Sequence, residues 1–170
     1  LKHHINAGDI LIDATAGNGH DTLFLARQTG PRGHVFAFDP QPQAIEATRK
    51  RLVKNEANQQ CSLVQDGHEH MAQHLPPPLQ GKIEAITFNL GYLPGATKDT
   101  TTQAETTLAA LEQSLTLLSP RGIISLIIYQ GHPAGKLEKE AIQKWITAQP
   151  QLHTETMLSV APDESSPELL

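Results

Sequence analysis

The sequence predicts a single α/β domain built on a doubly wound, mostly parallel sheet with helices on both faces. Apolar runs suited to strands alternate with amphipathic helical patterns along the chain. The first apolar run, residues 10–12, leads into a glycine-bearing turn and then a helical pattern. The second, residues 35–38, ends at the acidic residue Asp39. This pair of features is typical of loops that hold a nucleotide-type cofactor at the carboxyl edge of such a sheet.

Each element follows from a local pattern. Apolar runs bounded by Gly, Pro or Asn predict strands, and apolar residues spaced three and four apart predict helices. We expect strands at residues 9–14, 34–39, 61–65, 83–90, 123–129 and 153–160, with a seventh beginning after Pro167. We expect helices at residues 19–28, 42–55, 69–75, 102–118 and 137–148. Residues 123–129 form the most apolar run, so that strand should be central and buried on both faces.

Composition fits one soluble globular domain spanning residues 1–170. The chain is 38% hydrophobic, carries a net charge of −5 and has no Lys/Arg block, so non-specific nucleic-acid binding is not indicated. The nine histidines form no metal-ligand spacing and there is no Cys pair, so we expect no metal site. The single residue Cys61 cannot form an internal disulfide and fits a reducing, cytoplasmic location.

Two further expectations concern the membrane and the ends of the chain. No apolar stretch approaches 18 residues, so no membrane-spanning helix is expected. The chain begins with Leu and ends in two leucines. We therefore expect a trimmed segment whose last strand continues further.

The glycine pattern after the first strand narrows the choice of cofactor. Residues 13–21 read D-A-T-A-G-N-G-H-D. A dinucleotide fingerprint requires a third glycine, where this chain has Thr22. A phosphate-binding Walker loop requires a Gly-Lys-Ser/Thr ending, which the sequence lacks.

This loop resembles instead the acidic-x-G-x-G-x-G loop of class I S-adenosylmethionine-dependent methyltransferases. Asp13 is the acid, Thr15 replaces the first glycine, and Gly17 and Gly19 supply the other two. The resemblance implies a Rossmann-like methyltransferase domain whose last strand is antiparallel, with S-adenosylmethionine as cofactor. Asp39 would accept hydrogen bonds from the ribose hydroxyls. The alternative is that the glycines only make a tight strand-to-helix turn.

Two more motifs follow later strands and therefore fall at the same edge of the sheet. Asp66 and His68 follow the third strand, where Asp66 would accept from the adenine amine and His68 would lie near the ring. The alternative role of Asp66 is a helix cap. Asn89 opens N-L-G-Y-L-P-G after the fourth strand, which resembles the N-P-P-Y motif of amino-group methyltransferases. There Asn89 would accept from the target nitrogen and Tyr92 would pack on the substrate, unless Tyr92 is a core aromatic.

A third motif, Y-Q-G-H-P at residues 129–133, follows the fifth strand and would face the substrate. His132 would orient the substrate or remove a proton; the alternative is a surface-loop histidine. Cationic groups for RNA phosphates are expected near these loops. The candidates are Lys98, Arg121, Lys136 and Lys139.

In combination these motifs resemble the bacterial putative rRNA methylase family, from about residue 8 to residue 145. Its characterised members are tRNA 5-(aminomethyl)-2-thiouridine methyltransferases. The resemblance implies methyl transfer from S-adenosylmethionine to the aminomethyl nitrogen of the tRNA wobble uridine, and it points to a homodimer. Carried over by motif, the cofactor loops contain Asp13, Gly17, Asn18, Gly19, Asp39 and Gln41. The substrate mouth contains Asn89, Tyr92, Lys98, Tyr129 and His132.

The chain departs from the family pattern in two loops. Residues 96–98 read A-T-K where the family often has G-D-K, and residues 133–135 read P-A-G where it often has P-G-G. Thr97 therefore removes any carboxylate role at that position. Rival interpretations are a methyltransferase acting on rRNA or a small amine, a non-catalytic cofactor- or RNA-binding protein, and a nicotinamide-dependent oxidoreductase, which Thr22 disfavours.

Overall fold

The structure is a computed structural model that describes residues 1–91, 102–129, 133–155, 157–158 and 168–169. Its strands form one sheet in the order β3-β2-β1-β4-β5-β7-β6. The strands are β1 Ile10–Asp13, β2 His34–Phe38, β3 Cys61–Val64, β4 Ile83–Leu90, β5 Leu118–Ile128, β6 Met157–Leu158 and β7 Glu168–Leu169. The helices are α1 His20–Thr29, α2 Pro42–Lys54, α3 Met71–His74, α4 Ala104–Leu117 and α5 Pro133–Thr147.

Strands β1 to β5 are all parallel to one another, which confirms the predicted doubly wound parallel sheet. The sheet carries an antiparallel pairing only at its outer edge in the described part of the chain. There Glu168–Leu169 pairs with the last two residues of β5 on one side and with Met157–Leu158 on the other. The antiparallel last strand expected after Pro167 therefore has a two-residue counterpart within the described residues.

Alternate strand residues pack against helices on opposite faces of the sheet, as a period of two requires. Leu11 and Val35 point to the side covered by α1 and α2, where they pack with Leu25 and Leu52. The neighbouring strand residues point to the other side and pack against residues of α3, α4 and α5. This second group includes Ile12, Phe36, Phe88, Met71, Leu111 and Ile142.

The fifth strand differs from its prediction in two respects. It begins at Leu118 rather than residue 123, because Leu118 already pairs with Ile83 of β4, and the segment that reads as a turn lies in the register shift between Leu118 and Ile123. The expectation that it is buried on both faces is wrong, since only Leu126 and Ile128 are buried within Leu118–Ile128. The physical reason is that β5 lies toward the outer edge of the sheet, where the described residues of its outer neighbour β7 pair only with Ile127 and Ile128.

Candidate functional site

A cavity of about 710 Å³ opens at the carboxyl edge of the parallel sheet. It lies where the strand order reverses between β1 and β4, which is where open α/β sheets bind ligands. Segments that follow the first five strands line it, together with the start of α4. The lining residues predicted from sequence are Thr15, Gly17, Asn18, Asp39, Gln41, His68, Asn89 and Tyr129.

Asp13 lies behind the glycine loop rather than on the cavity wall. It is fully buried, and its Oδ2 accepts a 2.6 Å hydrogen bond from the Thr22 hydroxyl on α1. Its Oδ1 accepts from the backbone N–H of Thr15 at 3.2 Å. Burial raises the pKa of the Asp13 carboxyl to about 7, against the lowering effect of the Thr22 hydroxyl. Asp13 thus ties the loop to the helix that follows it.

The two glycines of the loop meet different steric demands. Gly17 and Gly19 both have positive φ values, 52° and 75°, which residues other than glycine rarely adopt. A Cβ on Gly19 would also lie 2.8 Å from Cα of Thr48 on α2. The Thr48 hydroxyl donates to the carbonyl of Gly17 at 3.1 Å. Close packing of the loop on α2 therefore needs glycine at position 19.

Asp39 joins the first two loops at the cavity wall. Its Oδ2 accepts from the N–H of Gly17 at 2.9 Å, and its Oδ1 accepts from the N–H of Gln41 at 2.9 Å. The residue is 7% exposed, and burial raises the pKa of its carboxyl against the lowering effect of these N–H groups. Each carboxylate oxygen has a second lone pair, so Asp39 remains able to accept from a ligand hydroxyl.

The third loop brings only one of its two predicted residues to the cavity. His68 lines it and is 6% exposed, and its Nδ1 lies 3.2 Å from the carbonyl oxygen of Ala14. Burial lowers the pKa of His68, so the ring is neutral, Nδ1 donates to that carbonyl, and Nε2 keeps an acceptor lone pair. Nε2 has no hydrogen-bond partner among the residues that the structure describes.

Asp66 is turned toward α3 and is not among the described residues that line the cavity. Its Oδ1 and Oδ2 lie 2.9 Å and 2.7 Å from ring nitrogens of His70 and His74. Oδ1 also accepts from the N–H of Gly67 at 2.8 Å, but Gly67 is the residue that precedes the helical turn 68–70, and no side chain caps that turn. The two histidine contacts hold the pKa of Asp66 well below its usual range. The adenine role of Asp66 stays a prediction, with its oxygens already engaged.

Asn89 stands at the end of β4 on the wall of the cavity. Its backbone N–H donates to the Thr15 hydroxyl at 2.7 Å, which links β4 to the glycine loop. Its side-chain Nδ2 donates to Oδ2 of Asp21 in the first turn of α1. Asn89 and the glycine loop therefore form one hydrogen-bonded unit.

The substrate-side residues are only partly within the described chain. Tyr129 follows β5, lines the cavity, is 42% exposed, and donates its N–H to the Leu90 carbonyl at 3.1 Å. Across from it, Thr102 donates its N–H to the carbonyl of Gly91 and its hydroxyl to the buried Glu138 of α5. The predicted residues Tyr92, Lys98 and His132 lie outside the described residues.

The candidate cations do not form one surface. Arg121 lies near the beginning of β5, at the sheet edge opposite the cavity, so its predicted place among substrate-side groups is wrong. Residues that precede a parallel strand lie at the amino edge of the sheet, opposite the edge where open α/β sheets bind ligands, so Arg121 faces away from the cavity wherever β5 begins. Lys136 is exposed and Lys139 partly buried near the start of α5, the helix that follows the cavity end of β5.

Negative charge dominates the cavity. Asp21, Asp39 and Glu69 line it, and no Lys or Arg does so within the described residues. Asp13 stands close enough behind the wall for the charges of Asp21 and Asp39 to raise its pKa further. Such a cavity favours a cationic ligand over a phosphate-bearing one.

Two negative findings apply to the described segments alone. They contain no cluster of three or more His, Cys, Asp or Glu side chains arranged to hold a metal ion. They also contain no helix long and apolar enough to cross a bilayer.

Sequence reasoning missed three residues that build this site. Thr22 stands in the sequence where a dinucleotide loop has glycine, but its hydroxyl, nine residues after Asp13, is the donor that the buried carboxylate needs. Asp21 belongs to the loop motif, and the motif alone does not indicate its contact with Asn89. Thr48 gave no local signal, because its contact with Gly19 depends on how α2 packs.

Comparison with known proteins identifies the family of the chain. The family model described as "Putative rRNA methylase" matches residues 35–169. A chloroplastic tRNA (mnm(5)s(2)U34)-methyltransferase of Arabidopsis thaliana is 39% identical over 147 residues, covering 82% of this chain and 53% of the relative. The chain thus spans about half the length of that curated relative.

Two solved structures resemble the chain over 99% of its length. A putative rRNA methylase from Clostridium thermocellum has a TM-score of 0.92 and 36% identity, with 89% of its chain covered. A putative methyltransferase from Streptococcus mutans, solved with S-adenosylhomocysteine, has a TM-score of 0.83 and 34% identity, with 90% covered. The chain therefore has the Rossmann-like fold of S-adenosylmethionine-dependent methyltransferases and belongs to the putative rRNA methylase family.

Proposed function

We propose that this protein transfers a methyl group from S-adenosylmethionine to the aminomethyl nitrogen of 5-aminomethyl-(2-thio)uridine at the wobble position of tRNA. The observation that carries the proposal is the position of Asn89. Asn89 lines the cavity that the glycine loop and Asp39 also line. A hydrogen-bond acceptor for an amine thus stands beside the loops suited to the cofactor.

The residues of the cavity fit S-adenosylmethionine in charge and in polar groups. The cofactor is cationic at sulfur, which suits a wall carrying Asp21, Asp39 and Glu69 without a described Lys or Arg. The buried Nε2 of His68 lacks a partner among the described residues and would accept from the adenine amine. The spare lone pairs of Asp39 would accept from the ribose hydroxyls. When bound, the cofactor supplies an electrophilic methyl group.

The chain must bind the substrate amine in its neutral form and aim it. A primary alkylamine with a pKa of about 10 is mostly protonated at neutral pH and has no lone pair for attack. Partial desolvation and the neighbouring sulfonium both lower that pKa. The side-chain oxygen of Asn89 would accept an N–H of the amine and orient the remaining lone pair, so that catalysis rests on positioning. The departing proton would reach solvent or His132.

The RNA substrate rests on similarity rather than on contacts. The Arabidopsis relative is named for the wobble uridine of tRNA, and it supports the same target here. The exposed Lys136 near the start of α5 would contact RNA phosphates, which predicts modest, salt-sensitive affinity for an acidic protein. A cytoplasmic location and a homodimer belong to the same proposal. The runner-up substrate is rRNA, after the family description, or a small amine.

The test is incubation of the protein with S-adenosylmethionine and tRNA that carries the unmethylated aminomethyl uridine, followed by nucleoside mass spectrometry. We expect conversion to the methylaminomethyl nucleoside, with Asn89→Ala losing turnover while binding S-adenosylhomocysteine normally. Parallel incubations use rRNA and simple primary amines. No conversion of the tRNA, with cofactor binding intact, would reject the wobble-uridine target.

A further inference from the structure

The contact between Asp21 and Asn89 determines which end of the Asn89 side chain is available to a ligand. Asp21 lies in the first turn of α1 and lines the cavity beside Asn89. Its carboxylate oxygen Oδ2 faces the Nδ2 group of Asn89. An ionised carboxylate only accepts hydrogen bonds, so the amide must turn its NH₂ toward Asp21.

The other end of the amide is therefore the one left for the substrate. With Nδ2 committed to Asp21, the side-chain oxygen of Asn89 has no hydrogen-bond partner among the described residues. A flipped amide would present NH₂ to the substrate, and an amide NH₂ cannot accept an amine proton. The backbone of Asn89 is fixed independently by the Thr15 hydroxyl, so the amide flip is the remaining freedom.

We propose that Asp21 is a positioning residue that locks the Asn89 carboxamide with its oxygen toward the target nitrogen. The inference rests on the proposed function, because it assigns the orientation on which amine methylation depends. Asp21 acts through Asn89 and need not touch the amine. An acid in a first helical turn also stabilises the helix through its favourable interaction with the helix dipole. That effect requires no contact with β4, so it does not explain the bond to Asn89.

The test compares four variants with the wild-type protein. Asp21→Ala removes the acceptor, whereas Asp21→Asn keeps an oxygen that accepts from Asn89. Asn89→Asp places two carboxylates face to face, and the exchange Asp21→Asn with Asn89→Asp restores a donor–acceptor pair. Glu105→Ala is the matched control, because Glu105 is an exposed acid in the first turn of α4 and does not line the cavity. The readouts are kcat, KM for tRNA, and S-adenosylhomocysteine affinity.

We expect kcat to fall about 100-fold in Asp21→Ala and no more than about 10-fold in Asp21→Asn, by analogy with the loss of one oriented catalytic hydrogen bond. Affinity for S-adenosylhomocysteine should stay within about threefold in both, since its thioether sulfur is uncharged and the orientation of Asn89 acts on the amine. The exchange should recover at least about 10-fold in kcat over Asn89→Asp alone. A kcat within threefold of wild type in Asp21→Ala, or an exchange no better than Asn89→Asp, would overturn the proposal.

A second readout does not depend on turnover. The side-chain NH₂ resonances of Asn89 in ¹⁵N NMR spectra, assigned with Asn89→Ala, should shift and exchange faster with water in Asp21→Ala. Unchanged resonances would overturn the orientation role. If the wild-type protein binds S-adenosylhomocysteine but methylates no amine, the proposed function fails, and these resonances still decide whether Asp21 holds the amide.

Discussion

The hydroxyl of Thr22 donates a 2.6 Å hydrogen bond to the buried Oδ2 of Asp13, which joins the first turns of α1 to the end of β1. The same carboxylate receives the N–H of Thr15, whose hydroxyl in turn accepts from the N–H of Asn89. One buried acid thus supports a chain of contacts that reaches the candidate amine-binding residue across the sheet.

Loss of the Thr22 hydroxyl should destabilise the protein. Thr22→Val keeps the shape of the side chain but leaves a buried carboxylate oxygen without its donor, which costs about 1–3 kcal/mol. Thr22→Ser should retain most of the stability. The control is Thr116→Val on α4, whose exposed hydroxyl donates to the Gln113 carbonyl of its own helix, and it should cost under about 0.5 kcal/mol. Urea unfolding at pH 7 measures the stability of all three variants. Equal losses of stability in Thr22→Val and Thr116→Val would contradict the account.

Asp13 should make stability fall as the pH rises. Its pKa is about 7 in the folded protein against 3.8 for the free group, so the folded state holds the proton more tightly. Between those pH values Asp13 ionises in the unfolded state but not in the folded state, and this ionisation lowers the free energy of the unfolded state. The contribution of Asp13 to the free energy of unfolding is therefore fully present below pH 4. It declines by up to about 4 kcal/mol as the pH rises to 7 and then levels off.

Asp13→Asn removes this titration while keeping an acceptor for Thr22. The stability of wild type minus that of Asp13→Asn should therefore decrease from pH 5 to pH 8. Urea unfolding at both pH values gives the difference. The matched control is Glu46→Gln. Glu46 is an exposed acid on α2, so this substitution removes a carboxylate that is not buried. A difference that increases with pH would mean that burial does not raise the pKa of Asp13.

Gly19 should tolerate alanine less well than a glycine with similar backbone and open surroundings. Gly19→Ala combines a positive φ with a Cβ 2.8 Å from the Thr48 backbone. Gly81→Ala has a φ of 69° but no atom within 4 Å, so it should lose only about 1–2 kcal/mol through strain. We expect Gly19→Ala to lose at least about 1 kcal/mol more through overpacking. Similar unfolding midpoints in urea would indicate that the loop shifts away from α2 without cost.

His68 and Asp66 should differ in their effect on the cofactor. His68→Leu removes a buried acceptor on the cavity wall and should weaken S-adenosylhomocysteine binding about 10-fold, the effect of one hydrogen bond. Asp66→Ala should stay within about threefold, because His70 and His74 already engage its oxygens. Isothermal calorimetry distinguishes the two. A larger loss in Asp66→Ala would support the sequence-based assignment of Asp66 to the adenine amine.

The first four strands were predictable from sequence because turn residues bound each apolar run. Their observed limits lie within one residue of the predicted ones. The start of β5 was not, because the segment with Pro120 and Gly122, which reads as a turn, lies in a register irregularity between Leu118 and Ile123, both of which pair with β4. Helix α5 likewise begins at Pro133, four residues before its prediction, since proline is favoured in a first helical turn.

For the site, sequence placed the loops correctly but not every side chain in them. Which way the Asp13 side chain turns depends on the packing of α1, which no local pattern encodes. The contacts of Asp66 with His70 and His74 were predictable, since these histidines lie four and eight residues later and on the same side of a short helical segment. The Asp21–Asn89 contact spans 68 residues and needed the sheet to bring them together.

The central claim is that the cavity beside Asp39 holds S-adenosylmethionine, and calorimetry tests it most directly. We expect S-adenosylmethionine and S-adenosylhomocysteine to bind with one site per chain, and the reduced nicotinamide cofactor not to bind. Asp39→Ala should weaken both by about 10- to 100-fold, the effect of losing hydrogen bonds to a charged group. Normal binding of S-adenosylmethionine by Asp39→Ala, or preference for the nicotinamide cofactor, would contradict the account.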